Sequence, residues 1–288
     1  MTSNGYPSIA IVDGARTPIG VKCGTLSRFS PEDLATFACE EAIRRSGVGR
    51  ETIDTAIGAN VYQCTAPGAQ DIYFPRNVGL RCKLNVETPA LMVQRICGSG
   101  LQTMVNAMQQ IAVGDAEVAL CFGAEVMSRV PRTLRSPRTD ANFWEFEEGG
   151  TVEDTLLAGL NHDLFETTMM NTADEYGSRM GVTRAECDAL AAQSHDRSRA
   201  ATRASHFNGG DALRGVFAID ANDLGGLPVH LARDECARHT SAEALAKLRG
   251  FTPNGLVTAG NASEISDGAA AVVVADRAVA ERNGWSTR

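Results

Sequence analysis

The chain has 288 residues, a formal net charge of −8, 43% hydrophobic residues and 22% charged residues. These values are typical of a folded globular protein with one large or two modest cores, and they exclude a disordered chain. The acidic balance argues against nucleic acid as a partner. No apolar run approaches the roughly 18 residues of a membrane span, and residues 1–7 lack a signal-peptide pattern. We therefore expect a cytoplasmic protein with no membrane contact.

The cysteines show no C-x-x-C pair, and no histidine has the spacing of a metal ligand. We therefore expect reduced thiols, no metal site and no resident cofactor. The eight cysteines are Cys23, Cys39, Cys64, Cys82, Cys97, Cys121, Cys187 and Cys236.

The first 127 residues predict alternating strands and helices. Ser30 is placed to cap a helix that starts at Pro31. The β-α-β-α-β order predicts a mostly parallel sheet with helices on both faces, with ligands at the carboxyl ends of the strands. The predicted strands cover 8–13, 53–61, 88–96 and 117–122, and the next helix covers 70–82.

The composition changes after residue 127. Arginines, Trp144 in an acidic stretch and a helical pattern over 184–205 predict an inserted domain with its own small core. Ala270–Ala275 is a continuous apolar run, which is typical of a central strand. The expected division is a first α/β domain over 1–127, an insertion over 128–250 and a return to the first domain over 251–288.

Four arginines recur at every third position just after Ser128. A solvated loop surface or a subunit contact explains this series better than phosphate binding does. They are Arg129, Arg132, Arg135 and Arg138.

Cys97 is the best candidate for chemistry. It lies between a predicted strand and an amphipathic helix, at an elbow where the unpaired N–H groups of the first helical turn favour a thiolate and can receive an oxyanion. Gly98, Ser99 and Gly100 let the backbone and a substrate carbonyl approach closely. The alternative is an inert, buried cysteine.

Ordered segments along almost the whole chain resemble those of the thiolases, and most closely the 3-ketoacyl-CoA thiolase and acetyl-CoA acetyltransferase group. The resemblance implies a thiolase-like layered α/β fold with a helical loop-domain insertion that covers coenzyme A. The segments are Val12–Pro18, Arg76–Leu80, Glu87–Ala90, Cys97–Gly100, Gly123–Ser128, Arg238–His239, Ala244–Leu248, Thr258–Ser263 and Asp267–Ala270.

The resemblance also implies roles for individual residues. Cys97 is the nucleophile that carries the acyl group, in thiolytic cleavage of a 3-ketoacyl-CoA or in the reverse condensation of acetyl-CoA. Coenzyme A is then a substrate and not a cofactor. Thr168 stands where short-chain biosynthetic members have a histidine, which favours a degradative enzyme for broader chain lengths. The other matched positions are Ala259 and Ser263 at the pantetheine, Arg238 near the nucleotide or simply on the surface, and Met169 and Met170 beside the substrate.

The second half of thiolases supplies an Asn-Glu-Ala-Phe loop, a Gly-His-Pro histidine and a Cys-x-Gly cysteine. None of the five histidines of this chain precedes proline, and neither Cys187 nor Cys236 begins a Cys-x-Gly run. The resemblance therefore covers the N-terminal and loop domains, truncated before the C-terminal half. We expect impaired or partner-dependent turnover, an exposed apolar face, and a homo-oligomer or a partner chain that supplies the missing half. The alternatives are a non-catalytic acyl-CoA-binding subunit and an inactive truncated thiolase.

Overall fold

The computed structural model describes residues 8–135, 150–204 and 216–287. Trp144, Arg138, His206 and residues 1–7 lie outside the described residues. The strands are β1 (Ile9–Arg16), β2 (Gly20–Val21), β3 (Thr55–Ala59), β4 (Ala90–Val93), β5 (Val118–Val126), β6 (Arg132–Arg135), β7 (Thr151–Asp154), β8 (Asn161–His162), β9 (Thr167–Thr168), β10 (Ile219–Asn222), β11 (Pro228–Leu231) and β12 (Ser266–Asp276). The helices are α1 (Pro31–Ser46), α2 (Phe74–Arg81), α3 (Ser99–Val113), α4 (Thr155–Ala158), α5 (Met169–Arg179), α6 (Arg184–Arg203), α7 (Ala242–Leu245) and α8 (Arg277–Arg282).

The main sheet has the strand order β1-β12-β5-β3-β4, and β2 pairs with the start of β12. Strands β3, β4 and β5 run parallel, with Ala59 opposite both Val93 and Gly123. The carboxyl ends of these three strands therefore meet at one edge of the sheet. The sequence predicted these strands with somewhat different bounds, and it predicted this edge as the place for ligands.

Strand β12 makes the sheet mixed and less parallel than expected. It runs antiparallel to both β1 and β5, and its residue Asp267 lies opposite Val126 at the end of β5. The inserted segment thus leaves the sheet and returns to it at the same edge. A chain that re-enters a sheet at the end where it left runs back antiparallel to the strand that it left, as in a long hairpin. The connection from β5 to β12 therefore needs no crossover helix.

Alternate residues of the central strands point to opposite faces, and both faces are covered. Helices α1 and α2 pack on one face through a large core, and α3 packs on the other through a smaller one. The α/β class with helices on both faces is confirmed. The larger core includes Leu34, Ala38, Val78, Leu120 and Val273, and the smaller includes Ile57, Ala107, Ile111, Cys121 and Val274.

The start of α1 is fixed by the residues that the sequence indicated. Ser30 Oγ accepts a hydrogen bond from Asp33 N (3.1 Å), and the Asp33 carboxylate accepts one from Ser30 N (2.9 Å). This is a reciprocal capping box, followed by Pro31 in the first turn. The predicted cap is therefore confirmed.

The chain forms two compact units. Within the described residues, the first falls in Met1–Arg129, Ala200–Cys236 and Ile265–Arg288, and the second in Val130–Arg199 and Ala237–Glu264. These ranges differ from the predicted insertion over 128–250, because Ile219, Val229 and Leu231 of the β10–β11 hairpin join the core of the first unit.

Glu32 in the first turn of α1 generates a prediction about stability. Its side chain is 1% exposed, and within the described residues neither carboxyl oxygen has a hydrogen-bond partner. Burial raises the pKa of Glu32, and the charge of Asp71 adds to this. A raised pKa in the folded state means that stability is lost as pH rises through that pKa. We expect Glu32→Gln to raise the free energy of unfolding by about 1 kcal/mol at pH 8 and much less at pH 5.

Urea denaturation of both proteins at the two pH values measures this difference. Glu51→Gln, which changes an exposed carboxylate, is the control and should leave stability almost unchanged. A loss of stability in Glu32→Gln at pH 8 would contradict the prediction.

Candidate functional site

Cys97 is exposed and lies in the short connection between β4 and α3. Strand β4 ends at Val93, and α3 begins at Ser99 after Gly98. The elbow therefore presents the thiol near the amino end of a helix of 15 residues. The peptide dipoles of such a helix favour negative charge at that end.

The backbone around Cys97 is tightly constrained. Ile96 has a φ of 49°, a left-handed conformation that β-branched residues rarely adopt. Ser99 Oγ accepts a hydrogen bond from Arg95 N (2.6 Å) and donates one to Ile96 O (2.6 Å). Gly98 N also donates to Arg95 O (3.0 Å). The buried Ser99 hydroxyl thus joins both sides of the elbow that carries Cys97.

The two glycines of the elbow differ in their surroundings. A Cβ added at Gly98 would lie 3.3 Å from Arg95 O, whereas one added at Gly100 would meet nothing within 4 Å. A side chain at Gly98 would therefore crowd the Arg95 carbonyl, whereas Gly100, at the start of α3, has room for one.

A partly buried carboxylate lies at the same edge of the sheet, and the sequence did not single it out. Glu125, near the end of β5, accepts hydrogen bonds from Asn60 Nδ2 (3.0 Å), Val61 N (2.9 Å) and Tyr62 N (3.3 Å). Burial raises the pKa of Glu125 to about 7, although these three donors act in the opposite direction. Glu125 and Asn60 are polar residues at the ends of adjacent parallel strands. That pattern in the sequence could have identified them as site residues.

The segment after β3 lies within electrostatic reach of Cys97. Burial raises the pKa of Tyr62, and the charges of Glu125, Cys64 and Cys97 add to this effect. Burial also raises the pKa of Cys64, with smaller effects from Asp71 and Glu125. The site at the strand ends thus combines an exposed thiol with an acidic, partly buried surrounding.

Other cysteines are much less accessible. Cys39, Cys82 and Cys121 are buried. Burial raises the pKa of Cys121 to about 12 and raises that of Cys39 as well. The thiolate is the reactive form of cysteine, so these two thiols are poor nucleophiles. Cys23 is exposed like Cys97 and serves as a reference thiol.

The second unit contains the positions expected at the pantetheine. The 256–261 turn is held by two aspartates: Asp174 of α5 accepts from Leu256 N (2.7 Å) and Val257 N (2.8 Å), and Asp188 of α6 accepts from Asn261 Nδ2 (3.0 Å). Ala259 on this turn and Ser263 just after it are both exposed. Neither aspartate could be recognised from the sequence, because both contacts join residues more than seventy positions apart.

Arg238 is exposed but already forms polar contacts within the second unit. Its guanidinium pairs with Glu264, and its backbone N–H donates to His195 Nδ1 (3.3 Å). A phosphate at Arg238 would have to compete with the carboxylate of Glu264. The pairing brings Arg238 close to the chain just after Ser263, so these two expected contacts lie in one region of the second unit.

Met169 and Met170 form the first turn of α5. Thr168 caps this helix, since its hydroxyl accepts a hydrogen bond from Asn171 N (3.1 Å). Met169 is exposed and Met170 is half-buried. The departure at Thr168 from the short-chain thiolase pattern thus has a structural consequence, because its hydroxyl satisfies a helix N–H group.

The three arginines of this series that the structure describes, Arg129, Arg132 and Arg135, each contact a carboxylate or a backbone carbonyl. This agrees better with a structured surface than with phosphate binding. The contacts are Arg129 Nε to Thr65 O (3.3 Å), Arg132 to Asp154 (3.5 Å) and Arg135 to Glu153.

Two negative findings concern the described residues alone. Among them, no cluster of His, Cys, Asp and Glu side chains is arranged to hold a metal ion. None of their helices is long and apolar enough to cross a membrane.

Comparison with known proteins identifies the family. The thiolase N-terminal domain family matches residues 9–278. Mouse mitochondrial 3-ketoacyl-CoA thiolase is 37% identical over 279 residues, covering 96% of this chain and 68% of that protein. Beta-ketothiolase BktB of Cupriavidus necator is 36% identical over 280 residues with the same coverage. The crystal structure of human mitochondrial 3-ketoacyl-CoA thiolase in complex with CoA has a TM-score of 0.86 and 35% identity, covering 98% of this chain and 68% of that chain. The chain belongs to the thiolase family.

The thiolase resemblance and the layered α/β fold inferred from the sequence are therefore confirmed. The chain spans 68% of the length of its mouse thiolase relative. The roles of Cys97 and of the expected coenzyme A contacts in this thiolase remain predictions.

The thiolase elbow provides a test of how Cys97 is held. Ser99→Ala removes one buried oxygen and both of its hydrogen bonds. We expect a loss of about 1–3 kcal/mol in unfolding free energy. We also expect Cys97 to react about two- to fivefold more slowly with iodoacetamide, because the thiol is no longer fixed at the positive end of α3. Peptide mass spectrometry measures the rate at each cysteine.

Thr103→Val is the matched control for this thiolase variant. It removes a buried hydroxyl that donates to Gly100 O (2.7 Å) one turn along the same helix. It should leave the rate at Cys97 unchanged. If both variants change that rate equally, the hydrogen bonds of Ser99 do not specifically control the reactivity of Cys97.

Proposed function

We propose that this chain performs thiolase-type acyl transfer, with Cys97 as the residue that carries the acyl group. The observation that carries the proposal is the exposed thiol of Cys97 at the amino end of α3 in a chain of the thiolase family. The reaction is the cleavage of a 3-ketoacyl-CoA or, in reverse, the condensation of acetyl-CoA.

The chemistry follows from the electrophilic keto carbonyl of the substrate. The Cys97 thiolate attacks the 3-keto carbon, the bond between C2 and C3 breaks, and acetyl-CoA leaves as an enolate that takes up a proton. A second coenzyme A thiol attacks the acyl-cysteine, loses its proton and releases the shortened acyl-CoA together with the Cys97 thiolate. The positive end of α3 stabilises the negative charge at the thiolate and at the oxyanion.

Proton transfer in both steps needs a general acid and base. In the first unit, the only histidine among the described residues is His230, which is exposed on β11. We propose that a partner chain supplies these groups. General acid–base help is worth roughly 10²–10⁴ in rate, so turnover by these residues alone is impaired.

Coenzyme A is the proposed small-molecule ligand of the second unit. One of the similar solved structures is a thiolase in complex with CoA. The contacts expected from the resemblance are Arg238, Ala259, Ser263, Met169 and Met170. The anchoring of the 256–261 turn by Asp174 and Asp188 supports this proposal, because a fixed turn loses little entropy when a ligand binds.

The decisive test of the proposal is acylation of Cys97. We expect incubation with acetoacetyl-CoA or acetyl-CoA to add one acetyl group, which peptide mass spectrometry locates on Cys97. Cys97→Ala should abolish this modification, while Cys23 in the same protein stays unmodified. Acetyl groups spread equally over Cys23 and Cys97 would indicate non-specific chemistry and contradict the proposal.

A second candidate function is a non-catalytic acyl-CoA-binding subunit. These 288 residues contain no Gly-His-Pro histidine, and their one Cys-x-Gly run, at Cys121, carries a buried thiol with a raised pKa on β5; both facts favour it. Calorimetry with CoA separates the two functions: saturable binding without acylation of Cys97 supports the binding subunit. Loss of both binding and acylation supports an inactive thiolase.

The outer face of α3 supports the proposal of a protein partner or a homo-oligomer. Leu101, Val105 and Met108 recur at helical spacing and are 73%, 41% and 45% exposed. The opposite face of α3 is buried through Ala107 and Ile111. Exposed apolar stripes of this kind mark contact surfaces. We propose that the thiolase half that these 288 residues lack covers the stripe, and that copies of this chain associate through it when that half is absent.

A double variant tests this surface. We expect Leu101→Gln with Met108→Gln to raise the apparent dissociation constant for self-association at least about tenfold, since two large apolar side chains leave the contact. Analytical ultracentrifugation of the purified chain measures the constant. Leu227→Gln, at an exposed leucine in the β10–β11 turn, is the control and should change nothing. If the double variant associates as strongly as the original chain, the apolar stripe on α3 is not the contact surface.

A cytoplasmic location is also a proposal. The eight thiols without a C-x-x-C pair support a reducing compartment. Several similar thiolases are named as mitochondrial, and that compartment is equally consistent with free thiols.

A further inference from the structure

Two connections leave the same edge of the main sheet side by side. Strands β3 and β4 are parallel neighbours, and Ala59 lies opposite Val93. The segment 60–66 follows β3, and the elbow with Cys97 follows β4. Adjacent strands lie about 4.8 Å apart, so the course of the 60–66 segment sets the surroundings of the elbow.

Two carboxylates hold this segment in place, one partly buried (Glu125) and one fully buried (Asp71). Glu125 accepts from the backbone N–H groups of Val61 (2.9 Å) and Tyr62 (3.3 Å). At the other end of the segment, Asp71 accepts from Thr65 N (2.6 Å) and Ala66 N (2.7 Å). Asp71 is fully buried. Hydrogen bonds to these side-chain acceptors, and not pairing with another strand, thus hold the backbone of the segment in place.

Asn60 joins Glu125 to the sheet. Its side-chain amide is 1% exposed and donates both to Ala124 O (2.9 Å) and to the Glu125 carboxylate (3.0 Å). The Asn60 Oδ1 atom is buried, and within the described residues it has no hydrogen-bond partner. Glu125 therefore receives two backbone donors and one amide donor, an arrangement that a neutral side chain of the same size does not reproduce.

We propose that Glu125 is a positioning residue of the Cys97 site, which holds the Asn60–Tyr62 segment against the elbow and sets the charge beside the thiol. This inference deepens the proposed acyl transfer and rests on it. Glu125 acts through the segment and through its charge, and we assign it no contact with the reacting atoms.

The charge of Glu125 has a definite sign at the site. A carboxylate near a thiol disfavours the thiolate, whereas the amino end of α3 favours it. Asp71, Tyr62, Cys64 and Cys97 are titratable groups near the segment, and the positively charged Arg129 guanidinium donates to Thr65 O (3.3 Å) within it. Removal of the Glu125 charge should therefore increase the reactivity of Cys97 at neutral pH.

The test compares Glu125→Gln with Asp54→Asn. Asp54 Oδ2 accepts from Glu117 N (2.8 Å) and Val118 N (2.9 Å) at the opposite end of β3 and β5, so it is a matched carboxylate remote from Cys97. Hydrogen exchange reports on the 60–64 amides, and alkylation of Cys97 by iodoacetamide is followed from pH 6 to 9. Cys23 is the internal reference thiol.

We expect Glu125→Gln to speed exchange of the Val61 and Tyr62 amides at least about tenfold. We also expect alkylation of Cys97 to become about two- to fivefold faster at pH 7. The pH profile of the wild-type chain should contain an inflection near about 7 from Glu125, and the variant should lose it. Asp54→Asn should leave the rate and the profile at Cys97 unchanged.

Three results would overturn the proposal: unchanged exchange at residues 61 and 62, an unchanged pH profile in Glu125→Gln, or the same change in Asp54→Asn. Glu125→Asp provides a second variant if Glu125→Gln does not fold, because it keeps the charge but shortens the reach. It should speed exchange and retain the inflection. Acetylation of Cys97 is measured separately, so failure of acyl transfer is distinguished from failure of the positioning role.

Discussion

The parallel register of β3 with β4 and β5 is the constraint on which the site depends. Because Ala59 lies opposite Val93, the connections that follow β3 and β4 begin at one level of the sheet, and β5 continues past Gly123, the partner of Ala59, to Val126. A shift of one residue would turn Glu125 to the other face and separate it from the N–H groups of Val61 and Tyr62. The elbow and its acidic neighbour thus share a position because the buried faces of the strands fix their register.

The same edge also receives the chain on its return from the insertion. Asp267 lies opposite Val126, and its buried carboxylate accepts a hydrogen bond from Ser128 N (3.0 Å). Burial raises the pKa of Asp267. Such a group costs free energy unless its donors are fixed, so this bond ties both ends of the insertion to the end of β5. An insertion anchored in this way is compatible with an undisturbed central sheet.

Local features could be predicted from the sequence, and long-range ones could not. The cap at Ser30 and the elbow at Cys97 follow from neighbouring residues, since helix starts and strand ends have short-range signals. The thiolase motifs identified the family. The antiparallel course of β12 and the bonds of Glu125 depend on which distant segments become neighbours: Glu125 and Val61 are 64 positions apart. Periodicity carries no information at that range.

Burial alone does not explain why the chain keeps a carboxylate at Glu125. Glu32 is more deeply buried but has no hydrogen-bond partner for its carboxyl oxygens within the described residues, whereas Glu125 has three donors that hold it in one place. Donors of this kind favour the charged form and offset part of the desolvation cost. The structure thus places a partly buried, hydrogen-bonded carboxylate and the amino end of α3 at the same end of the sheet as the exposed thiol of Cys97.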